Sequence, residues 1–238
     1  MIPTSLLGHP HQYACERANR LFCWGWFKQN WSSTLWPALR EHLVMVLIAV
    51  AIGFAISMAL ALWTHRHRRA EQPSVAFLSF LYTIPSLAFF ELLLGVPGLG
   101  LNLVTAEIPL VAYTLLILFR NIVTGLRNVP AEVRDSARGM GMNRRQMLWR
   151  VELPLALPAI IAGLRIATVS TVALATIAVE VDGDQGLGAP ILSGINDNYF
   201  KTELIAAGAL CVLLAFAADG LLVGVQRLLT PWARARAA

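Results

Sequence analysis

Residues 43–63, LVMVLIAVAIGFAISMALALW, extend across a membrane's thickness without one charged side chain. A helix needs about 20 mostly apolar residues to cross the hydrocarbon core of a bilayer. Four further stretches approach that length: 75–95, 106–126, 158–181 and 203–229. Backbone N–H and C=O groups in lipid must be satisfied within the chain, which leaves helices or closed barrels. The ten-residue alternation of barrel strands is not seen. The expectation is an all-α integral membrane protein, a five-span helical bundle. The 57% hydrophobic and 14% charged composition agrees, since a soluble domain is about 25% charged. One bundle consumes the chain. Residues 1–36 read as an N-terminal interfacial or flexible segment, 37–230 as the transmembrane domain and 231–238 as a cytoplasmic tail.

Lys and Arg in short loops orient such a bundle, because basic loops stay in the cytoplasm. Arg66, Arg68 and Arg69 follow the first span, and seven arginines from Arg120 to Arg150 lie around the link between the third and fourth. Arg227, Arg234 and Arg236 lie at the C-terminal end, whereas the other two links hold only Lys201 beside Asp182, Asp184 and Asp197. Basic and non-basic links alternate, so the N-terminus is expected outside and the C-terminus inside. The same placement accounts for the +5 formal charge without a nucleic-acid partner. Trp24, Trp26, Trp31 and Trp36 point to a segment lying in the lipid interface.

The link between the third and fourth spans has its own order. Ala131 to Arg138 suits a short helix, and Gly139-Met140-Gly141 suits a break. Asn143 followed by Gln146 forms a capping-box-like pair. A second short helix is expected to about Arg150, with Pro154 where a first helical turn tolerates proline.

Across Asp135 to Pro154, DSARGMGMNRRQMLWRVELP, the loop resembles the EAA loop of binding-protein-dependent ABC importer permeases. That pattern is Glu-Ala-Ala, three residues, Gly, nine residues, a β-branched aliphatic, one residue, Leu-Pro. It falls on Asp135, Ser136, Ala137, Gly141, Val151, Leu153 and Pro154 with spacing intact. Asp135 replaces Glu and Ser136 replaces Ala, keeping charge and small size. The resemblance implies a type I importer permease with a cytoplasmic coupling-helix loop that docks on an ATPase. Small Ala137 and Gly141 would let that partner approach the backbone closely. Thr83 to Ala88, Gly139 to Met142, Val151 to Pro158 and Gly186 to Gly188 are similar to the osmoprotectant branch, which takes up glycine betaine, choline or carnitine. A permease for another small solute, such as an amino acid or a sulfonate, is the alternative.

The resemblance also implies partners: a cytoplasmic ATPase dimer, a second permease subunit of the same or a related chain, an extracytoplasmic binding protein and membrane lipid. No phosphate-binding Gly-x-x-x-x-Gly-Lys-[Ser/Thr] loop is present, and the two lysines are Lys28 and Lys201. The chain is therefore expected not to be an enzyme and to bind no cofactor, with ATP and Mg handled by the partner. It is also expected to carry no fused binding domain. An intramembrane enzyme would need paired carboxylates, a His-rich metal cluster or a Ser–base pair at helical spacing, and none is found.

Ionisable groups inside spans are functional candidates by default. Tyr82, Thr83, Pro85, Ser86 and Glu91 are the candidate translocation path. Glu91 also reads as a carboxylate wetted near the outer end, and that reading is preferred. Arg165 reads as snorkelling towards the cytoplasmic side or, preferred, as a brace to Glu132, Asp135 or Glu152 in the adjacent loop. Asp219 reads as paired with another subunit or with a buried polar group. Tyr82, Phe89, Phe90 and Tyr113 are scattered along the chain, so no compact aromatic cage for a quaternary amine is expected. His65 and His67 read as head-group contacts, Cys15 and Cys23 as a disulfide or, preferred, as free thiols, Cys211 as a small apolar residue. Glu180, Asp182 and Asp184 read as a solvated acidic loop.

Overall fold

The computed structural model describes residues 14–182, 186–197 and 199–231. The tail 232–238 and Asp184 lie outside them. Among the described residues every regular element is helical. The elements are α1 (Ala14–Arg17), α2 (Trp24–Asn30), α3 (Trp36–Arg66), α4 (Glu71–Thr83), α5 (Ser86–Leu94), α6 (Leu103–Arg127), α7 (Ala131–Gly139), α8 (Arg144–Met147), α9 (Leu153–Ala175), α10 (Val179–Asp182), α11 (Gly188–Asn196) and α12 (Lys201–Leu229). By length and composition four helical stretches can cross a membrane: Trp24–Arg66, Leu103–Arg127, Arg144–Ala175 and Lys201–Leu229. Counted as one crossing, the bent pair α4–α5 gives a fifth.

Helix α6 is the centre. It packs on α3, α4, α5 and α9, and Leu118, Phe119, Ile122 and Leu126 on it are fully buried. Close approach needs small residues, as in membrane helix pairs generally. A Cβ on Gly163 of α9 would lie 2.4 Å from Asn121 Cβ on α6. Helix α12 packs chiefly on α9 and α11 and is the least buried span.

Three boundaries differ from the sequence expectation. First, α2 is not a helix separate from the first span. It continues through a π-helical turn at Trp31–Leu35 into α3, giving one helix of 43 residues. Its N-terminal end is docked on the start of α12 and the residue before it. The Cys23 N–H donates to Thr202 Oγ1 at 2.8 Å, and Trp26 packs edge-on against Phe200. Cys15 and Cys23 form a disulfide, so they are not free thiols.

Second, the second span is broken. Helices α4 and α5 meet at 85° around Ile84-Pro85. Proline has no N–H to donate and biases the residue before it towards extended backbone; Ile84 has ψ 127°. The Tyr113 hydroxyl on α6 donates to the Ile84 carbonyl that the break leaves free.

Third, the fourth span starts before residue 158 and stops before 181. Arg144 to Ala175 is continuous through a π-helical turn at Leu148–Glu152, so the second short helix is the root of the span. Both π turns lie just before a proline, Pro37 and Pro154, and such turns absorb a lost helical hydrogen bond. Beyond Ala175 the chain re-enters as α10 and α11. Gly188 passes so close to Thr176 that a Cβ would sit 2.2 Å from its carbonyl oxygen.

Candidate functional site: the polar loop and the broken span

The loop after α6 is built as the local sequence requires. Asn143 Oδ1 accepts from the Gln146 N–H and Gln146 Oε1 accepts from the Asn143 N–H, both at 2.9 Å, so the capping box is complete. Helix α7 ends in a paired closure in which the Gly141 N–H donates to Arg138 O and the Met142 N–H to Ala137 O. That is a Schellman motif, which places its glycine in the left-handed region; Gly141 has φ +80°. The glycine is thus demanded by the backbone. The space around it is open, with nothing within 4 Å of an added Cβ.

The seven motif residues do not share one surface. Asp135, Ser136 and Gly141 are exposed. Asp135 pairs with Arg138 at 3.0 Å on the solvated face. Ala137 is 1% exposed. It packs inward, so its small size seats α7 on its own chain and does not open a path to a partner. Val151, Leu153 and Pro154 are half-buried at the root of α9, and Leu153 packs on the core that holds Phe119 and Leu126. The outward tip is Met140, Arg144, Arg145 and Trp149, all exposed.

A buried ionic node, not anticipated from sequence, clamps the loop. Glu152 lies 3.0 Å from His65 Nε2 at the end of α3 and 3.1 Å from Arg134 Nε on α7. The same Arg134 donates through Nη2 to Leu126 O at 2.8 Å, one of the last carbonyls of α6. Helix C-termini carry unsatisfied carbonyls and partial negative charge, which a guanidinium satisfies. One residue triad therefore ties α3, α6, α7 and the root of α9. His65 is part of this clamp and not a head-group contact. His67 instead packs its ring 5.6 Å from Trp63.

Arg165 does not brace the loop. It forms a bidentate pair with Asp219 of α12, Nε to Oδ1 at 2.7 Å and Nη2 to Oδ2 at 2.9 Å. Asp219's partner is thus within its own chain. Cys211 is a half-buried free thiol on α12.

Of the path candidates, Tyr82, Thr83, Pro85 and Ser86 come together at the α4–α5 break, while Glu91 is exposed further along α5. Thr83 Oγ1 is used within its helix, donating to Phe80 O. Three of the four aromatics thought scattered converge there: Tyr113 meets Tyr82 and Phe89 edge-on at 5.7 and 6.1 Å. Phe89 and Tyr113 are buried, so the trio packs the break and exposes only the Tyr82 ring.

At the opposite mouth, fully buried His42 on α3 receives the Leu187 N–H at Nδ1, 3.2 Å away, and its Nε2 lies 3.0 Å from Val172 O. The two contacts require a neutral ring protonated at Nε2. His42 was missed because a lone histidine at the polar edge of a span, next to Arg40 and Glu41, has no local signature. It pins Gly186-Leu187-Gly188 onto α3. Among the described residues no His, Cys, Asp or Glu cluster can hold a metal ion.

A helical bundle of four to five crossings with a clamped polar loop at one mouth is the architecture of a multi-pass membrane protein. Residues 51–235 match the family described as "Binding-protein-dependent transport system inner membrane component". That match covers most of the chain, and the protein belongs to this family. It is thus a multi-pass component of an ABC importer. The carnitine transport permease protein OpuCD of Listeria monocytogenes is 36% identical over 167 residues, 70% of this chain and 73% of that one. The osmoprotectant import permease protein OsmW of Salmonella typhimurium is 36% identical over 170 residues, 70% of this chain and 78% of that one. The choline transport system permease protein OpuBB of Bacillus subtilis is 35% identical over 70% of this chain and 75% of that one. In fold the chain is similar to an inward-facing MetNI methionine ABC transporter, with TM-score 0.73, 20% identity, and 82% and 97% of the two chains covered. It is also similar to an amino acid ABC transporter, with TM-score 0.66, 18% identity, and 80% and 91% covered.

Proposed function

We propose that this permease carries a compatible solute such as glycine betaine, carnitine or choline across the bacterial inner membrane, driven by a separate ATPase. The observation that carries the solute class is the group of relatives named for carnitine, choline and osmoprotectant transport, matched over about 70% of the chain. The chain itself binds no nucleotide, and ATP with Mg is hydrolysed by the partner. A separate extracytoplasmic protein delivers the solute, and a second permease subunit completes the path.

The coupling unit is α7–Gly141–α8. Its tip projects Met140 and Trp149, 70% and 60% exposed, into the space an ATPase surface would fill. Asp135, Ser136 and Gly141 stand on the exposed side, whereas Ala137, Val151, Leu153 and Pro154 hold the unit on the bundle. Through Glu152, Arg134 and His65, a push on α7 reaches the ends of α3 and α6 and the root of α9 together. Rigid connection of that kind is what a lever requires, because packed elements shift as units between discrete arrangements.

The arginine asymmetry supports a threading with this loop inside and the N-terminus outside. The Cys15–Cys23 disulfide supports that threading, since disulfides persist on the oxidising side of the membrane. Reporter fusions after Arg69 and Arg150 are expected to report cytoplasm, and fusions near Leu101 and Asp197 the outside. A cytoplasmic report at Asp197 would reverse the threading.

The solute is tested by uptake. A strain lacking this gene and its other betaine and choline importers should lose labelled betaine, carnitine or choline uptake. Uptake should return with the gene together with its ATPase. Restored import of an amino acid or a sulfonate, with none for quaternary amines, would replace the osmoprotectant reading with the alternative one.

A further inference from the structure

Arg165 and Asp219 lie inside two membrane-length helices. At 1.5 Å per residue, Arg165 is about 22 Å along its helix from Arg150, and Asp219 about 12 Å from Arg227. Both are therefore well within a hydrocarbon core of about 30 Å. Yet they are not enclosed by the bundle: their side chains are 33% and 32% exposed. They line an open groove of about 380 Å³ together with Ala162, Ile166, Val169 and Ser170. Ionised groups at this depth are not left facing lipid; they face a bundle interior or a water-filled space.

The pair is matched in charge but has hydrogen-bonding capacity left over. Its two hydrogen bonds use two of the five N–H donors of the guanidinium. The others remain to hold a second carboxylate. The Asp219 carboxylate keeps acceptor capacity and negative charge towards the same groove. Positive and negative groups side by side, with Ser170 and an apolar rim, complement a small molecule that carries both charges.

We propose that Arg165, Asp219 and Ser170 form a solute site on a water-lined wall of the transport path, specific for zwitterions with a carboxylate and a fixed cation. The solute carboxylate sits on the free guanidinium N–H groups, and its cation lies against Asp219. The inference rests on the osmoprotectant reading and narrows it: betaine and carnitine carry both charges, whereas choline lacks the carboxylate. Binding stays weak because the two side chains already satisfy each other, as a release path needs.

The experiment uses the whole transporter, with its ATPase, in membrane vesicles. In a Cys211→Ala background, Val169→Cys beside the site is compared with Ile56→Cys, an exposed position on α3. A charged, membrane-impermeant methanethiosulfonate should modify Val169→Cys at least tenfold faster. Glycine betaine or carnitine should slow that reaction, and choline should not. Equal rates at the two positions would overturn the wet wall while leaving the osmoprotectant reading untouched. Absence of protection in a complex that imports betaine would overturn the site. Import restricted to solutes without a carboxylate would overturn it too. Import of a different zwitterion would remove the osmoprotectant reading alone, and the site then requires protection by that solute. A structural brace is separated by the charge exchange Arg165→Asp with Asp219→Arg. The exchange should restore complex assembly lost in either single variant, but leave uptake at least tenfold down. Full recovery of uptake would show a brace and no site.

Discussion

Helices α6 and α12 are both membrane-length and apolar, yet they are held in different ways. Over its most apolar stretch α6 is 56% buried within the chain and α12 only 11%. The surface of α6 is closed by small residues and backbone contacts. Gly125 on α6 would bring a Cβ within 3.0 Å of the Ala156 carbonyl oxygen of α9, and Gly53 on α3 would crowd Thr114 on α6. On α12, Gly208, Gly220 and Gly224 have nothing within 4 Å. The contrast separates what the chain needs for its own fold from what it offers to its surroundings. Polar groups follow the same division. The Glu152 node at the foot of α6 is mostly buried, and the Asp219 pair on α12 is open on one side.

The comparison is most sharply tested at the foot of α6. Glu152→Ala removes the shared partner of His65 and Arg134 and leaves the guanidinium mostly buried. Breaking a buried pair on one side costs about 3–5 kcal/mol. The purified complex should show a marked fall in thermal stability and little transport. A Glu152→Ala protein as stable as the parent would show that the node does not hold the bundle.

Next in size is Gly163→Leu, which drives a side chain into Asn121 at the α6–α9 crossing. Overpacking of this kind costs about 1–3 kcal/mol, more where the backbone cannot yield. Folded yield in detergent should drop several-fold.

Gly141→Asp acts at an exposed turn and strains a left-handed position by about 1–2 kcal/mol or less, since Asp tolerates that region better than most residues. Membrane insertion and yield should be nearly unchanged, whereas ATPase co-purification and transport should be lost. Normal transport would remove α7–Gly141–α8 from the coupling role.

The smallest effect on the fold is expected for Gly208→Leu, on the open side of α12. Surface substitutions away from special features stay within about 0.5 kcal/mol. A loss of folded yield equal to that of Gly163→Leu would mean that α12 is as enclosed as α6, and the contrast would fail.

Much of this protein is legible in short segments of its sequence. The spans follow from runs of apolar residues, because lipid leaves helices as the local solution for the backbone. The polar loop follows from contacts three to five residues apart: the Asn143–Gln146 box and the Gly141 closure. Pro85 could be seen as a residue within a span, but the 85° break also needs Tyr113 of α6 to satisfy Ile84. The partner choices were decided only in three dimensions. Glu152 reaches back 87 positions to His65, and Arg165 forward 54 positions to Asp219, while Glu132 and Asp135 stood nearer in sequence. Ala137 looked like a surface for a partner and instead packs inward. Cys15 and Cys23 looked like free thiols and are joined. Local hydrogen bonds are set by chain spacing and so can be read from it. Charge pairs across helices depend on which faces meet, and helix packing sets those faces after each helix already exists.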